Sequence, residues 1–191
     1  MSALSPHVGA GSELAPEMTP APLVPRPPAL PRALEAIASA DLILLGPGSL
    51  YTSLLPNLLV PELVSAIRRS RAPRLYICNL MTQPGETDGL DVRGHLRAIE
   101  AQLASLGIDQ RLFTAVLAQN DLEDSPLVEH YRSRGAQPVV CDADDLRRDG
   151  YYVTQAPLQG ARPTATLRHD SRSLALAVMR FYRSHRRERD Q

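Results

Sequence analysis

The residues with the most chemical potential are crowded into one loop. From residue 46 to residue 53 the chain reads Gly-Pro-Gly-Ser-Leu-Tyr-Thr-Ser, so two glycines are interleaved with and followed by hydroxyls on Ser49, Tyr51, Thr52 and Ser53. Gly46 and Gly48 allow backbone conformations closed to other residues and let a ligand come close to the main chain. Free amides at a helix start, together with neutral hydroxyl donors, suit a phosphate or pyrophosphate group. The chain has no lysine, which excludes the Lys-bearing P-loop. Tyr51 stands where the GxGxxG dinucleotide fingerprint needs its third glycine, so that reading is excluded too. Taken alone, a Gly-Pro-Gly after a strand is also simply a turn.

A second loop has the same grammar. Residues 74–89 read Arg-Leu-Tyr-Ile-Cys-Asn-Leu-Met-Thr-Gln-Pro-Gly-Glu-Thr-Asp-Gly, an apolar run opening into polar residues. The runs at 42–45 and 75–78 lack strict alternation, as expected of strands covered on both faces of a parallel sheet. Between them, residues 61–70 place Leu63, Val64 and Ile67 on one face of a helix. This is a βαβ unit, and in open α/β sheets ligands bind beyond the carboxyl ends of the strands. Both loops are therefore expected to face one cleft.

The two loops, written out as Leu-Gly-Pro-Gly-Ser-Leu-Tyr-Thr-Ser-Leu-Leu-Pro-Asn-Leu-Leu-Val and Cys-Asn-Leu-Met-Thr-Gln-Pro-Gly-Glu-Thr, resemble the signatures of the bacterial gluconeogenesis factor (YvcK-like) family. That family sits in the CofD-like superfamily, whose other branch comprises phospholactate transferases of deazaflavin-cofactor biosynthesis. The resemblance runs from about residue 27 to the last helix. It implies a cytoplasmic Rossmann-like protein, binding nucleotide-sugars such as UDP-N-acetylglucosamine and supporting cell shape and wall synthesis on gluconeogenic carbon sources. Gly46, Gly48, Ser49, Thr52, Ser53 and Asn57 fall on the first motif, and Asn79, Thr82, Gln83, Glu86 and Thr87 on the second. Tyr131 and Arg168 match further positions that the family uses for its ligand. The transferase branch carries Ser-Asn-Pro where this chain has Gly-Ser-Leu, which favours the gluconeogenesis-factor branch. Members of the family begin with a Gly-Gly-Gly-Thr-Gly type of loop that residues 1–32 do not contain, so the chain resembles the C-terminal half of the fold.

The remaining elements are expected to support this rim. Residues 91–107 form an amphipathic helix through Val92, Leu96, Ile99, Leu103 and Leu106, closed by Gly107, with His95 as a partly solvated residue in its first turn. A third strand at 112–117 ends near Asn120, which could face the same cleft. A helix at 127–134 carries Tyr131, and strands are expected at 137–141 and 151–154. Arg168 closes another strand ahead of Asp170, a natural N-cap for the final helix. Its planar fork suits a phosphate; an ion pair with Asp170 is the other use. The last helix packs through Leu174, Ala177, Val178 and Phe181, and its arginine-rich tail complements the helix dipole.

Composition narrows the classes further. Hydrophobic residues make up 43%, enough for a core, while the absence of Trp and the two Phe leave it to aliphatic packing. Twenty-one basic residues balance twenty-one acidic ones, which argues against a general nucleic-acid binder. Cys78 and Cys141 sit in no metal or redox spacing and read as small buried hydrophobes. Asp142, Asp144 and Asp145 are neutralised by Arg147 and Arg148, so no metal site is assigned. No apolar run reaches the roughly 18 residues of a membrane span, and a cytoplasmic location is expected. Eight of the seventeen prolines lie within residues 1–31, so residues 1–30 are expected to be a disordered or linker segment ahead of an α/β domain at 31–191.

Three functions remain open. The first is a nucleotide-sugar-binding regulator with no cofactor assigned. The second is a phospholactate transferase-like enzyme, which would require Mg2+ and for which the sequence names no catalytic residue. The third is a half-protein that forms a homo-oligomer or docks onto a missing N-terminal half through its exposed sheet edge.

Overall fold

The computed structural model describes residues 28–120, 122, 126–159 and 166–189. The segment expected to be disordered, apart from its last three residues, lies outside them. Four strands form one sheet: β1 (Ile43–Leu45), β2 (Arg74–Ile77), β3 (Ala115–Gln119) and β4 (Tyr152–Ala156). Their order is β1-β2-β3-β4 and every pairing is parallel, with Leu44 opposite Leu75, Tyr76 opposite Val116 and Val116 opposite Val153. The expected α/β, Rossmann-like layering is what the chain adopts.

The period of two along each strand divides the core. Tyr76, Cys78, Val116, Ala118 and Val153 face one layer, where they pack against Leu50, Leu54, Leu58, Val64, Ile67, Leu96, Ile99, Leu103 and Leu146. That layer is built by α2 (Leu55–Leu58), α3 (Pro61–Arg69), α4 (Val92–Ala104) and α6 (Ala143–Arg148), with Ile37 of α1 (Pro31–Ala38) at its margin. Leu75, Ile77, Ala115 and Leu117 face the other layer, built by α5 (Pro126–Arg132) and α7 (Ser171–Arg189) through Val128, Ala177 and Phe181. Crossovers between sequential parallel strands follow one hand as a rule, which puts α3 and α4 on the same face, and α5 and α7 cover the other.

Local signals set the helix ends. Asp91 caps α4 by accepting from the Gly94 amide at 2.6 Å, and Asp142 does the same for α6 from Asp145 at 2.9 Å. Asp170 caps α7, accepting from the Ser173 amide at 2.8 Å, which holds its carboxyl below the usual carboxylate range.

Several sequence expectations are corrected. The third strand begins at Ala115 rather than 112: Leu112 and Phe113 are buried, but ahead of the ladder. Residues 137–141 are not a strand. They run beside the second loop with a single antiparallel bridge, Met81 to Pro138, and leave Val140 67% exposed, so the apolar pair signals one-sided packing instead. Leu167 and Arg168 likewise belong to an irregular crossing anchored by one bridge, Gln159 to His169. The β1 strand is not covered on both faces, because it is an edge and Leu44 is 44% exposed. Cys78 is buried but Cys141 only half-buried; burial pushes their thiols up to about 12 and about 11, so both are weak nucleophiles.

Candidate functional site

Chain polarity places the carboxyl ends of all four strands, and the loops that follow them, at one end of the sheet. The first loop leaves β1 at Gly46, whose φ of +93° is a left-handed conformation. A Cβ there would sit 2.7 Å from the Ile77 carbonyl oxygen, so only glycine lets β1 exit this close to β2. From Leu50 to Leu54 the chain makes a π-helical turn that continues into α2, anchored by Leu50, Leu54 and Leu58 in the core. Ser49 caps it: its Oγ accepts from the Thr52 amide at 3.3 Å and from Thr52 Oγ1 at 2.5 Å.

The second loop is bonded directly to the first. Asn79 spends both ends of its amide on Gly48, accepting from the Gly48 amide at 3.3 Å and donating to its carbonyl at 2.9 Å. Ser49 Oγ donates to Glu86 Oε2 at 2.7 Å. Gly48, Ser49, Asn79 and Glu86 thus form one side-chain-stitched rim, so the loops meet rather than stand apart as two walls of a cleft. Within the second loop the Gln83 amide donates to Thr87 Oγ1 at 2.8 Å, and Thr87 is 1% exposed. Thr82, 4% exposed, exchanges two bonds with Gln137: its amide donates to the Gln137 carbonyl at 2.7 Å and its Oγ1 accepts from the Gln137 amide at 2.8 Å.

The other expected site residues are placed unevenly around this rim. Thr52 and Ser53 are exposed beside Ser49, whereas the exposed Asn57 donates back to the Ser53 carbonyl at 2.7 Å, one turn earlier in its own helix. Asn120 is exposed at the end of β3. Tyr131 is half-buried and its hydroxyl accepts from the Leu167 amide at 3.3 Å, tying α5 to the crossing that carries Arg168. Arg168 is exposed and makes no ion pair among the described residues, so the alternative pairing with Asp170 is absent.

Two supporting residues escaped the sequence reading. His169 Nε2 donates to the Cys78 carbonyl at 3.2 Å, which seats the Arg168 crossing over the end of β2 next to Asn79. Gln119, 7% exposed, accepts with Oε1 from the Leu158 and Gln159 amides at 2.7 and 3.0 Å and donates to Asn120 at 2.8 Å. The only signal for either was a polar residue beside an expected site position.

His95 is a third difference. It is fully buried, not partly solvated, and burial lowers its pKa from the ordinary 6.5. Its Nδ1–H donates to the Asp91 carbonyl at 2.8 Å, leaving Nε2 as a bare acceptor. Among the described residues His95 Nε2 and Gln83 Oε1 are buried acceptors without a hydrogen-bond partner.

A hollow of about 920 Å3 lies at the opposite end of the sheet, lined among others by Asp41, Arg69, Arg71, Tyr182, His185 and Arg186. It is bounded by the C-terminal ends of α1 and α3 and the last turns of α7. Helix C-termini carry partial negative charge, which accounts for the arginines there, and they lack the free amides that a helix N-terminus offers an anion. The stitched rim is the better candidate. Among the described residues no group of three or more His, Cys, Asp or Glu side chains is placed to hold a metal ion, and no single helix is long and apolar enough to cross a membrane.

The chain is similar in sequence and fold to known proteins. Residues 12–159 match the family described as 2-phospho-L-lactate transferase CofD. The chain is 42% identical over 156 residues to a putative gluconeogenesis factor of Nostoc, covering 82% of this chain and 33% of that protein. It is 36% identical over 146 residues to the gluconeogenesis factor of Bacillus subtilis, covering 76% of this chain and 44% of that one. Among solved structures, the Bacillus halodurans protein BH3568 superposes with a TM-score of 0.72 at 36% identity, covering 80% of this chain and 47% of that chain. It is described as a member of the UPF0052 family. The chain therefore spans about a third to a half of the length of these relatives and corresponds to their C-terminal part. With the matched stretch running through β1 to β4 and both joined loops, the chain belongs to the CofD family.

Proposed function

We propose that this chain supplies one wall of a nucleotide-sugar site, of the UDP-N-acetylglucosamine type, in a cytoplasmic regulatory protein of the gluconeogenesis-factor kind that supports cell shape and wall synthesis. The observation that carries the reading is the pair of bonds, Ser49 to Glu86 and Asn79 to Gly48, that locks both signature loops into one rim at the carboxyl end of the sheet. On this reading Asn79, Thr82, Thr87 and Tyr131 hold the walls, since their hydrogen bonds are spent inside the protein. The exposed Ser53 and Arg168 donate to the diphosphate, Thr52 joins them only if its hydroxyl releases Ser49 Oγ, Glu86 accepts from sugar or ribose hydroxyls, Gln83 does so only if its buried Oε1 turns outward, and Asn120 lies at the margin. Asn57 joins them only if it releases the Ser53 carbonyl.

The names of the relatives support the regulatory half of this reading, and the description of the family supports a second one, transfer of a phospholactyl group. A transferase of that type needs Mg2+ and carboxylates to hold it. The joined loops bring one carboxylate, Glu86, to the rim, so further metal ligands would come from outside the described residues. Titration calorimetry with UDP-N-acetylglucosamine tests the first reading: the wild-type chain should release binding heat and Arg168→Ala should bind at least about tenfold more weakly, as expected for loss of a charge-assisted contact. Equal binding, or none by the wild type, contradicts it. Product formation from lactyl-diphosphoguanosine, a deazaflavin acceptor and Mg2+ would favour the second.

A further inference from the structure

The last helix has one face that the core uses and one that it does not. Leu174, Ala177, Val178 and Phe181 of α7 pack into the second layer. On the other side Arg172, Leu176, Met179, Arg180, Arg183 and Arg187 are exposed, Leu176 by 52% and Met179 by 44%. At roughly 3.6 residues per turn these six fall within an arc of about 100°, and from Arg172 to Arg187 they run about 22 Å along the helix. Within α7, whose single acid is Glu188, no acidic residue lies on that arc. The helix holds six arginines against that one glutamate, a formal +5 in a chain whose total is zero.

The helix dipole does not account for this face. Its preference for cations is confined to the last turn, whereas Arg172 stands in the first, where a cation is disfavoured. Arg180, Arg183 and Arg187 make no ion pair among the described residues, and Glu129 of α5, in the same layer, lies 3.7 Å from Arg132. The arrangement of apolar and charged residues selects the partner. A nucleic-acid backbone offers nothing to Leu176 and Met179 at the centre of the stripe. A protein interface is anchored by a well-packed, desolvated core, and two half-exposed aliphatic side chains among four arginines do not make one. An anionic bilayer rewards each arginine separately, needs no shape match, and takes shallow apolar side chains at its headgroup boundary. We propose that the outer face of α7 is a peripheral docking surface for an anionic lipid bilayer, with its arginines on the headgroup phosphates and Leu176 and Met179 at the acyl boundary. This assignment is independent of the ligand reading, because α7 contributes no residue to the stitched rim.

The test uses the full chain with vesicles of phosphatidylglycerol and phosphatidylcholine in equal parts, and with vesicles of phosphatidylcholine alone. The chain should co-sediment with the mixed vesicles and not with the neutral ones. Each arginine near an anionic surface strengthens binding about fivefold, so the double variant Arg180→Gln, Arg183→Gln should bind about thirtyfold more weakly. The double variant Arg147→Gln, Arg148→Gln on α6 makes the same change in net charge at side chains 54% and 75% exposed, and should alter binding less than about twofold. Circular dichroism confirms that both fold. The chain has no tryptophan, so Leu176→Trp supplies a single indole fluorophore, whose emission should shift to the blue on the mixed vesicles. No binding to the mixed vesicles, equal binding to both kinds, equal losses for the two double variants, or an unshifted emission would each overturn the proposal. Tighter binding of the same face to poly-glutamate than to the mixed vesicles would assign it to an acidic protein and overturn it as well.

Discussion

The two ends of the sheet are built on opposite principles. At the carboxyl end the loops are short of space and held by specific hydrogen bonds, through Gly48 and Asn79, Ser49 and Glu86, Thr82 and Gln137, and His169 and the Cys78 carbonyl. At the amino end there is ample room, about 920 Å3, lined by charged side chains such as Asp41, Arg69 and Arg186. Volume alone selects the amino end. Helix polarity points to the other, because α1, α3 and α7 turn their C-termini, rather than the anion-binding N-termini, toward the hollow. Parallel α/β architecture puts function where loops converge, and the hydrogen bonds show which loops do so.

The difference can be broken most sharply at Gly46. Alanine there faces both a left-handed φ and the Ile77 carbonyl, so denaturant unfolding should show a loss of ~3 kcal/mol or more. Gly107 also has positive φ, at +74°, but open space around it, so Gly107→Ala should cost only about 1 kcal/mol. Equal losses would mean that close approach of β1 to β2 does not hold the rim. Next come buried hydrogen-bond partners. Gln119→Ala strands the Leu158 and Gln159 amides, and Thr82→Val strands the Gln137 amide, each costing about 1–3 kcal/mol. Arg69→Ala at the amino-end hollow should stay within about 0.5 kcal/mol.

A smaller effect comes from the buried His95 and the half-buried His169. Burial lowers the pKa of His95 and His169 below the ordinary 6.5. Below that value the unfolded chain takes up protons that the folded chain refuses, so stability falls as pH drops through about 6.5 and further until the folded values are reached. Thermal unfolding from pH 8 to pH 5 should show this slope, and His95→Gln should flatten it. An unchanged slope would place the pH response elsewhere.

Much of this was legible in the residues. The β1 and β2 runs, the helices α3, α4 and α7 and the Asp170 cap followed from periodicity and capping chemistry, and the two loops announced their glycines and hydroxyls. What failed were features decided by distant packing. An apolar pair at Val139 and Val140 reads like a strand, yet whether it pairs depends on a neighbour, and its neighbour is the loop at Met81. The burial of His95 depends on what covers α4, which its helical position does not reveal. Thr82, Thr87 and Asn79 carry the polar types of a ligand site, but the fold spends them on its own backbone.

The most direct measurement is amide chemical-shift mapping of the labelled chain during titration with UDP-N-acetylglucosamine. The account predicts saturable shifts at Gly48, Ser49, Thr52, Glu86 and Arg168, with Ser70, Ala72 and His185 at the opposite hollow unchanged. Shifts confined to the hollow, or absent from both ends, would contradict it.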